Sequence, residues 1–530
     1  MLEKINLSIM SSSISAPQKN FANQKEELVA AVDLGSNSFR MVIAKVMHSP
    51  SGTQLLPIDT LRESVRLAAG LKENKTLDQK AFQRGLEALS RFGDRLRHFH
   101  PKQVRAVATN TLRVARNADQ FIHEAQRLLG FPIEVIAGRE EARLIYIGAA
   151  HDAPACDGKR FVLDIGGGST EFIIGDGYDP KLLESVYIGC VSYSQQFFPN
   201  GLVDAYCFKQ AQLAARREIE VISSQFRKMG WKQAIGSSGT ARAIAELIAL
   251  NGFEGEPHEL PVGDFGGVIT RDSLHALKKS LIESEYIDRS QLIGLKGDRR
   301  PVLPGGLAIM MAAFDELEID RMEVTEAALR LGVLYDLIGR EQHHDMRFVT
   351  VEQFMQRYNV DRSQALRVQE MASYFLQQFP KPKTENRKEN LNLLSWAAQL
   401  HEIGLTISHN GYHKHSAYIA THADMPGFSR LDQARLAALL LGHTGKLGKL
   451  AVSSAYIDWR MLLSIRLAYV ICRRRADEKV PDIHVKEIEG GFTITIPQAW
   501  AQKNPLTVYS LEKESNDWQK IDKRYQIEMI

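Results

Sequence analysis

Apolar residues follow two different periods along this chain, and the change from one period to the other divides it. From residue 28 to about residue 338, short apolar runs alternate with longer segments in which apolar residues recur every three or four positions. The runs predict buried strands, and the longer segments predict amphipathic helices. From 350 to 475 only the helical period remains, whereas 491–496 alternates as a strand does. The pattern predicts two α/β regions, a helical region and a small C-terminal region that contains β-structure.

Each α/β region opens with two apolar runs joined by a glycine turn, which predicts a β-hairpin. The hairpins span 28–46 and 160–176. Further strands are predicted at 53–62, 104–108, 133–136, 182–188, 232–235 and 321–324, and helices at 78–98, 117–129, from 138, 204–229, 240–251, 304–317 and up to 338. Asn117 is predicted to cap the second of these helices. The glycine-rich segment 252–265 is predicted to be a loop.

Composition sets the predicted domain boundaries. The predicted domains are a polar, disordered tail at 1–27, α/β domains at 28–148 and 149–340, a helical domain at 350–475 and a small C-terminal α+β domain at 480–530. The polar stretch 340–346 is the predicted linker into the helical domain. A chain of 530 residues has room for these units, since a domain usually takes about 100 to 200 residues.

Composition and charge also exclude several classes of protein. Hydrophobic residues make up 44% and charged residues 24%, as in globular proteins with buried cores. The net charge of +3 is too small to attract nucleic acid over the whole surface, so no nucleic-acid partner is expected. The four cysteines form no C-x-x-C pair and favour a reducing compartment. No apolar run approaches the roughly 18 residues of a membrane span. A cytoplasmic location is predicted, with peripheral membrane association left open.

The two glycine turns carry the candidate chemistry. In the second turn an apolar run ends at Asp164, three glycines follow, and a second apolar run leaves after Thr170. Glycines let backbone N–H groups come close to an anion. Setting Asp33 on Asp164, an offset of 131 residues (164 − 33), aligns Gly35 with Gly166 and Ser38 with Ser169. A packing unit has no need to repeat these residues at its tip, so the repeat predicts a duplicated domain whose turns clamp one phosphate chain.

These turns and one further turn supply the predicted phosphate-binding residues. They are Asp33, Gly35, Ser36, Asn37 and Ser38 in the first turn, Gly166, Gly167, Gly168, Ser169 and Thr170 in the second, and Gly236, Ser237, Ser238, Gly239 and Thr240 in the third. Asp33 and Asp164 are also predicted metal ligands, because carboxylates hold a divalent cation against phosphate oxygens. The third turn is one residue short of G-x-S-x-G, which argues against a serine hydrolase and favours a strand-to-helix phosphate turn.

Glu140-Glu141-Ala142-Arg143 begins a predicted helix where the two α/β domains meet. One acidic residue there is explained by the helix dipole. The functional interpretation is a carboxylate that orients or deprotonates the attacking water. Arg113, after Thr111 and Leu112, is either an exposed helix residue or a fork that binds phosphate.

The helical region is rich in histidine. His401, Glu402, His409, His413, His415 and His422 are typical metal ligands, but histidine-rich helical surfaces without metal are common, and we predict no metal here. Arg473, Arg474 and Arg475 form either a solvated face or a guide for an anionic chain.

Six of these motifs in this order resemble the exopolyphosphatase/guanosine pentaphosphate phosphatase family. They are Asp33-Leu-Gly-Ser-Asn-Ser, Thr111-Leu-Arg, Glu140-Glu-Ala-Arg, Asp164-Ile-Gly-Gly-Gly-Ser-Thr, Gly236-Ser-Ser-Gly-Thr and Pro304-Gly-Gly. The resemblance implies duplicated actin-like (ribonuclease H-like) α/β domains, an all-α domain similar to the HD phosphohydrolases and a small C-terminal domain. It implies Mg²⁺-dependent hydrolysis of a terminal phosphate in a homodimer, and it leaves an additional monovalent cation such as K⁺ open. It also implies that Glu141 is the catalytic carboxylate, that Arg113 neutralises charge and that Asp164 faces the metal and the phosphate.

Two departures from the family pattern matter. The family's Leu-Arg-Glu-Gly segment is Leu329-Arg330-Leu331-Gly332 here, so its acid is missing. In the HD-like domain, Tyr469 replaces a late Asp, and no His lies on the preceding helix around Val368. This domain is therefore predicted to keep the fold without a second active site.

The predicted activity is exopolyphosphatase, with release of orthophosphate from inorganic polyphosphate. The first alternative is hydrolysis of pppGpp to ppGpp, which uses the same residues. A kinase of the same superfold would need an adenosine pocket, and Glu-Glu-Ala-Arg is not a kinase feature. A nucleotide-gated scaffold would need a substrate-binding β domain or polymer contacts, and the sequence suggests neither.

Overall fold

The computed structural model describes residues 27–49, 52–153, 156–253, 267–325, 329–341, 345–380, 387–450, 457–477 and 482–530. Almost all of the predicted N-terminal tail, most of the predicted loop at 252–265 and part of the predicted linker at 340–346 lie outside these residues.

The first α/β domain is built on a sheet that has five strands in the described residues, in the order β3-β2-β1-β4-β5. The strands are β1 (Leu28–Leu34), β2 (Phe39–Ser49), β3 (Gly52–Glu63), β4 (Val104–Ala108) and β5 (Ile133–Val135), and the helices are α1 (Gln79–Leu96), α2 (Asn110–Val114), α3 (Ala118–Leu129) and α4 (Gly138–Asp152). Strand β1 pairs antiparallel with β2 and parallel with β4. Both faces of β1 are covered, which explains its almost continuous apolar sequence.

The second α/β domain repeats this order with one added strand, as β10-β11-β9-β6-β7-β8. The strands are β6 (Arg160–Ile165), β7 (Thr170–Asp176), β8 (Asp179–Val186), β9 (Gln233–Gly236), β10 (Val268–Thr270) and β11 (Arg321–Val324), and the helices are α5 (Cys190–Phe197), α6 (Ala205–Met229), α7 (Gly239–Leu250), α8 (Arg271–Glu283), α9 (Leu303–Leu317) and α10 (Leu329–Glu341). Asp164 pairs with Glu171 across β6 and β7 as Asp33 pairs with Arg40 across β1 and β2. The predicted duplication is confirmed.

Helices α4 and α10 hold the two α/β domains together. One buried apolar cluster contains Ala142 and Ile145 of α4, Val333 of α10, Ala31 of β1 and Val162 of β6. Each sheet therefore turns one face toward this helix pair. The N-terminus of α4, which carries Glu141, consequently lies between the two hairpins.

The rest of the chain is a helical unit followed by a small sheet. The helices are α11 (Met346–Arg357), α12 (Arg362–Gln378), α13 (Arg387–Leu400), α14 (Tyr412–His422), α15 (Arg430–Gly442) and α16 (Trp459–Ile471), followed by β12 (His484–Ile488), β13 (Gly491–Ile496), α17 (Gln498–Lys503), α18 (Pro505–Gln519) and β14 (Arg524–Met529). One buried core runs through both parts and includes Phe375 and Trp518. In the described part of the chain, every helix is too short or too polar to cross a membrane.

The structure corrects some local predictions. Asn117 precedes α3, but its side chain does not cap that helix. Its Nδ2 donates to Leu77 O at 3.2 Å and its Oδ1 accepts from Leu77 N at 2.9 Å, so a distant loop uses its hydrogen bonds. Arg340, predicted to lie in a linker, belongs to α10, and the helical unit begins at Met346 instead of residue 350. The sequence did not predict β10, α5 or α8.

Candidate active site

The two predicted turns face each other across a cleft between the α/β domains. A Cβ atom added to Gly167 would lie 3.0 Å from Ser36 Cβ, and one added to Gly168 would lie 2.6 Å from Asn110 Oδ1. A side chain at either glycine would therefore push the two domains apart. Both turns follow the C-terminal ends of central strands, where open α/β sheets commonly bind ligands.

Most of the predicted site residues line this one cleft. They are Asp33, Gly35, Ser36, Asn37, Ser38, Glu141, Asp164, Gly166, Gly167, Ser169, Ser237, Ser238, Gly239 and Thr240. The third turn contributes the N-terminus of α7, and Ser238 Oγ accepts the hydrogen bond of Ala241 N at 2.9 Å to cap it. A helix N-terminus favours a nearby anion.

Four predicted residues do not line the cleft, and packing accounts for three of them. Gly168 allows the close approach to Asn110 described above. Thr170 is fully buried and its Oγ1 donates to Ile188 O at 2.6 Å, which fixes the chain before α5. A Cβ on Gly236 would lie 2.7 Å from Ala241 Cβ, so this glycine packs β9 against α7. The fourth residue is Arg113.

Arg113 holds the candidate catalytic carboxylate. Its Nη1 donates to Glu141 Oε2 at 3.0 Å and to Ile136 O at 2.9 Å. In the same motif, Thr111 Oγ1 donates to Ser36 Oγ at 2.8 Å and fixes the first turn. Arg113 is thus a buried residue and not an exposed helix residue, and its guanidinium orients the Glu141 carboxylate instead of lining the cleft as a phosphate fork.

The environment of Glu141 suits a group that accepts a proton. Burial raises its pKa to about 7, although the charge of Arg113 and its hydrogen bond act in the opposite direction. A pKa near neutrality lets a carboxylate accept a proton at physiological pH. Glu141 therefore has both the position and the basicity to act on a water molecule in the cleft.

Glu140, the other acid of the motif, points away from the cleft. Its oxygens accept from Arg143 Nε at 2.7 Å, Arg143 Nη2 at 2.8 Å and Gly427 N at 2.8 Å. Successive residues of a helix are rotated by about 100° from one another, so adjacent acids face different surroundings. Of the two acids, only Glu141 faces the cleft.

The aspartates of the two turns lie at the cleft with raised pKa values. Burial raises the pKa of Asp33 to about 6, although the charges of Arg330 and Arg40 act in the opposite direction, and burial also raises the pKa of Asp164. Ser237 Oγ donates to Asp164 Oδ2 at 2.7 Å. Glu171 lies close by, and burial and the charge of Glu141 raise its pKa well above the usual range.

This donor set fits Mg²⁺. The ion prefers oxygen ligands and is usually held by one or two carboxylates together with water and substrate phosphates. Asp33 and Asp164 supply two such carboxylates with raised pKa values. Among the described residues no group of three His, Cys, Asp or Glu side chains is arranged to hold a metal, so this site would be shared between protein and substrate.

Three arginines that the sequence did not indicate as site residues also line the cleft. Burial and the charge of Arg330 lower the pKa of Arg40 to about 9. Burial lowers the pKa of Arg299 and of Arg330 as well. Arg40 pairs with Asp33 in the sheet register, which could have indicated it. Arg299 and Arg330 reach the cleft from distant segments, and Arg330 lies beside Leu331, where the family's acid is missing.

The histidine-rich part of the helical unit forms a self-contained cluster. His401 is fully buried and its Nδ1 donates to Ala398 O at 2.6 Å. Glu402 pairs with Arg475, which also donates to Asp361 Oδ2 at 2.8 Å. Tyr469 lies against His401, with ring centroids 6.3 Å apart. Arg475 is thus held by carboxylates of this unit and does not form a free basic face.

Comparison with known proteins matches this architecture. The model of the Ppx/GppA phosphatase family matches residues 42–341, and the model of Ppx/GppA phosphatase, domain III, matches 346–515. A guanosine-5'-triphosphate,3'-diphosphate pyrophosphatase of Pseudoalteromonas translucida is 37% identical over 95% of this chain and 98% of its own length. One of Vibrio cholerae is 36% identical over 96% and 97%.

A solved structure gives the same fold. The exopolyphosphatase of Cytophaga hutchinsonii superposes with a TM-score of 0.52 at 22% identity, over 59% of this chain and 98% of its own. Two family models and relatives that match nearly the whole chain therefore agree on one family. The chain belongs to the Ppx/GppA phosphatase family, whose members hydrolyse phosphoric anhydrides.

Proposed function

We propose that this protein hydrolyses guanosine-5'-triphosphate,3'-diphosphate (pppGpp) to ppGpp. The observation that carries the proposal is the cleft between the two turns, with Glu141 on one side and the aspartates and arginines around it. Relatives at 36 to 37% identity over nearly the whole chain are described as pppGpp pyrophosphatases, which favours this substrate over polyphosphate. The exopolyphosphatase activity predicted from the sequence uses the same chemistry and is the competing proposal.

In this proposal, opposite charges surround the terminal phosphate in the cleft. The phosphate chain lies between the two turns, with Arg40, Arg299 and Arg330 on its oxygens. When bound, Mg²⁺ would be held by Asp33 and Asp164 and would neutralise phosphate charge. Catalysis of phosphoryl transfer rests mainly on positioning and on such charge neutralisation.

Glu141 acts on the attacking water. Its carboxylate orients the water in line with the terminal phosphorus and accepts a proton from it as the oxygen–phosphorus bond forms. Arg113 keeps the carboxylate in place through its 3.0 Å hydrogen bond. The bond to the next phosphate breaks, so the products are orthophosphate and ppGpp.

The test is phosphate release from pppGpp, long-chain polyphosphate and ATP under Mg²⁺, with Glu141→Gln as the control for contaminating activity. We expect kcat/KM for pppGpp to exceed that for polyphosphate by about tenfold or more, which corresponds to about 1.4 kcal/mol of transition-state discrimination. A preference for polyphosphate would establish the competing proposal. Equal turnover of ATP would show that the 3'-diphosphate is not recognised.

A further inference from the structure

A short segment of the helical unit contacts residues that lie beside the active site. This docking segment comprises residues 424–430, between α14 and the first residue of α15. It is anchored within the helical unit, because Phe428 is buried against Trp396 with ring centroids 5.1 Å apart. Thr350 Oγ1 donates to Pro426 O at 2.7 Å. The segment is therefore a fixed part of the helical unit.

Three contacts of the docking segment reach the elements that carry the catalytic pair. Arg430 Nη1 donates to the main-chain oxygen of Arg113 at 3.0 Å, and Gly427 N donates to Glu140 Oε2 at 2.8 Å. Arg139 Nη1 lies 3.1 Å from Asp424 Oδ2. Arg113 forms a hydrogen bond with Glu141, and Arg139 and Glu140 immediately precede Glu141 in the chain. All three contacts therefore lie next to the hydrogen-bonded pair of Arg113 and Glu141.

Gly427 can make its contact only as a glycine. Its φ of +86° is a conformation that side chains rarely adopt, and an added Cβ would lie 3.0 Å from the backbone nitrogen of Arg347. Arg340 Nη2 donates to Gly427 O at 2.9 Å from the other side. The main-chain N–H and C=O of Gly427 thus both form hydrogen bonds between the helical unit and the α/β domains.

Stability alone does not explain Arg430. Partial burial and the positive charge of Arg113 lower its pKa, so the two guanidinium groups repel each other. The hydrogen bond that Arg430 donates to the main-chain oxygen of Arg113 explains why Arg430 lies there, because this bond fixes the main chain that positions Arg113 against Glu141.

We propose that the docking segment is a positioning element for hydrolysis. Arg430 fixes the main chain of Arg113, Gly427 fixes the first turn of α4, and together they hold the Glu141 carboxylate in place. The inference rests on the proposed role of Glu141. It gives the helical unit a part in catalysis, although its histidine cluster is predicted to contribute no reacting group.

The experiment compares Arg430→Met with Arg435→Met. Arg435 lies on the same helix and donates to Asn390 Oδ1 at 2.8 Å within the helical unit, so it is a matched control. We expect Arg430→Met to lower kcat about 10- to 100-fold with KM changed less than about threefold, because a small displacement of a catalytic group reduces the rate and not the affinity. Arg435→Met should keep wild-type kcat, and Arg430→Lys, which keeps a donor, should restore most of the loss.

A double mutant separates positioning from a general effect on the fold. If Arg430 acts through Glu141, adding Arg430→Met to Glu141→Gln should cause little further loss. An additive loss, or a kcat for Arg430→Met equal to that of Arg435→Met, would overturn the inference while leaving the proposed function intact. An active Glu141→Gln protein would instead contradict the catalytic role on which both proposals depend. If Arg430→Met does not fold, Arg430→Gln serves in the same comparison.

Discussion

The cleft and the histidine cluster of the helical unit both bring acidic and basic side chains together, but they treat charge differently. In the cleft, buried carboxylates and guanidinium groups stand around an opening: burial raises the pKa of Asp33 and Asp164 and lowers the pKa of Arg40. In the cluster, Glu402 and Arg475 neutralise each other. Groups with perturbed pKa values around an opening indicate a ligand site, whereas two opposite charges that pair with each other need no ligand to balance them. The difference explains why one region is expected to be catalytic and the other structural.

The largest loss of activity is expected at Glu141, because the catalytic role of the cleft depends on this residue. Glu141→Gln keeps the size of the side chain but removes the group that accepts a proton. We expect turnover to fall by about 10²- to 10⁴-fold with little change in substrate binding. Steady-state kinetics on the preferred substrate, with circular dichroism as the check on folding, measures this. Near wild-type turnover in a folded variant would refute the assignment.

The two turn aspartates test whether the cleft is a single site. Asp33→Asn and Asp164→Asn should each lose most activity, and the double mutant should be little worse than either one, because the residues act as a unit.

The melting temperature of Asp33→Asn should not fall together with its activity. The folded-state pKa of Asp33 is raised to about 6, above its usual value, so its ionised form disfavours folding at pH 7 and stability falls as the pH rises through this pKa. Asp33→Asn should therefore leave the melting temperature unchanged or raise it. Additive activity losses that follow a lowered melting temperature would instead identify two separate structural carboxylates.

The arginines of the cleft should show a smaller effect. Arg330→Met removes one of the cations facing the phosphates, and we expect kcat/KM to fall by about 10- to 100-fold. Burial lowers the Arg330 pKa, so the loss of its charge should not reduce the melting temperature. Arg271→Met, at a surface ion pair with Asp315, is the control. Equal kcat/KM values for Arg330→Met and Arg271→Met would show that Arg330 does not contribute to catalysis.

The histidine cluster should show the smallest effect on activity. Glu402→Gln breaks the pair with Arg475, in which the Arg475 side chain is 43% exposed and that of Glu402 9% exposed, so we expect a stability loss of about 1 to 3 kcal/mol and activity within about twofold of wild type. Elemental analysis of the wild-type protein should find no tightly bound transition metal. Stoichiometric iron, zinc or manganese that disappears in His401→Ala would mean that the cluster is a second site.

Local sequence patterns were enough to predict several parts of the molecule. The two Asp-x-Gly turns were recognisable because glycine, a carboxylate and a hydroxyl recur at the same spacing, and the sheets place Asp33 and Asp164 at equivalent positions. Strand β4 was predicted to the residue, since four of its five residues are apolar and only Arg105 interrupts the run. The family resemblance pointed to Glu141.

Which charged residues meet in the cleft depends on the folded arrangement of distant segments. Arg299 and Arg330 lie 59 or more residues from the turns that line the cleft (299 − 240 = 59), and no local pattern marks them. The distinction between Glu140 and Glu141 required the neighbours of α4, including Gly427 from the helical unit. Asn117 is a residue type that commonly caps a helix, yet its side chain forms hydrogen bonds with Leu77 in a distant loop instead. Local propensities differ by about 1 kcal/mol or less, so contacts made between distant segments override them.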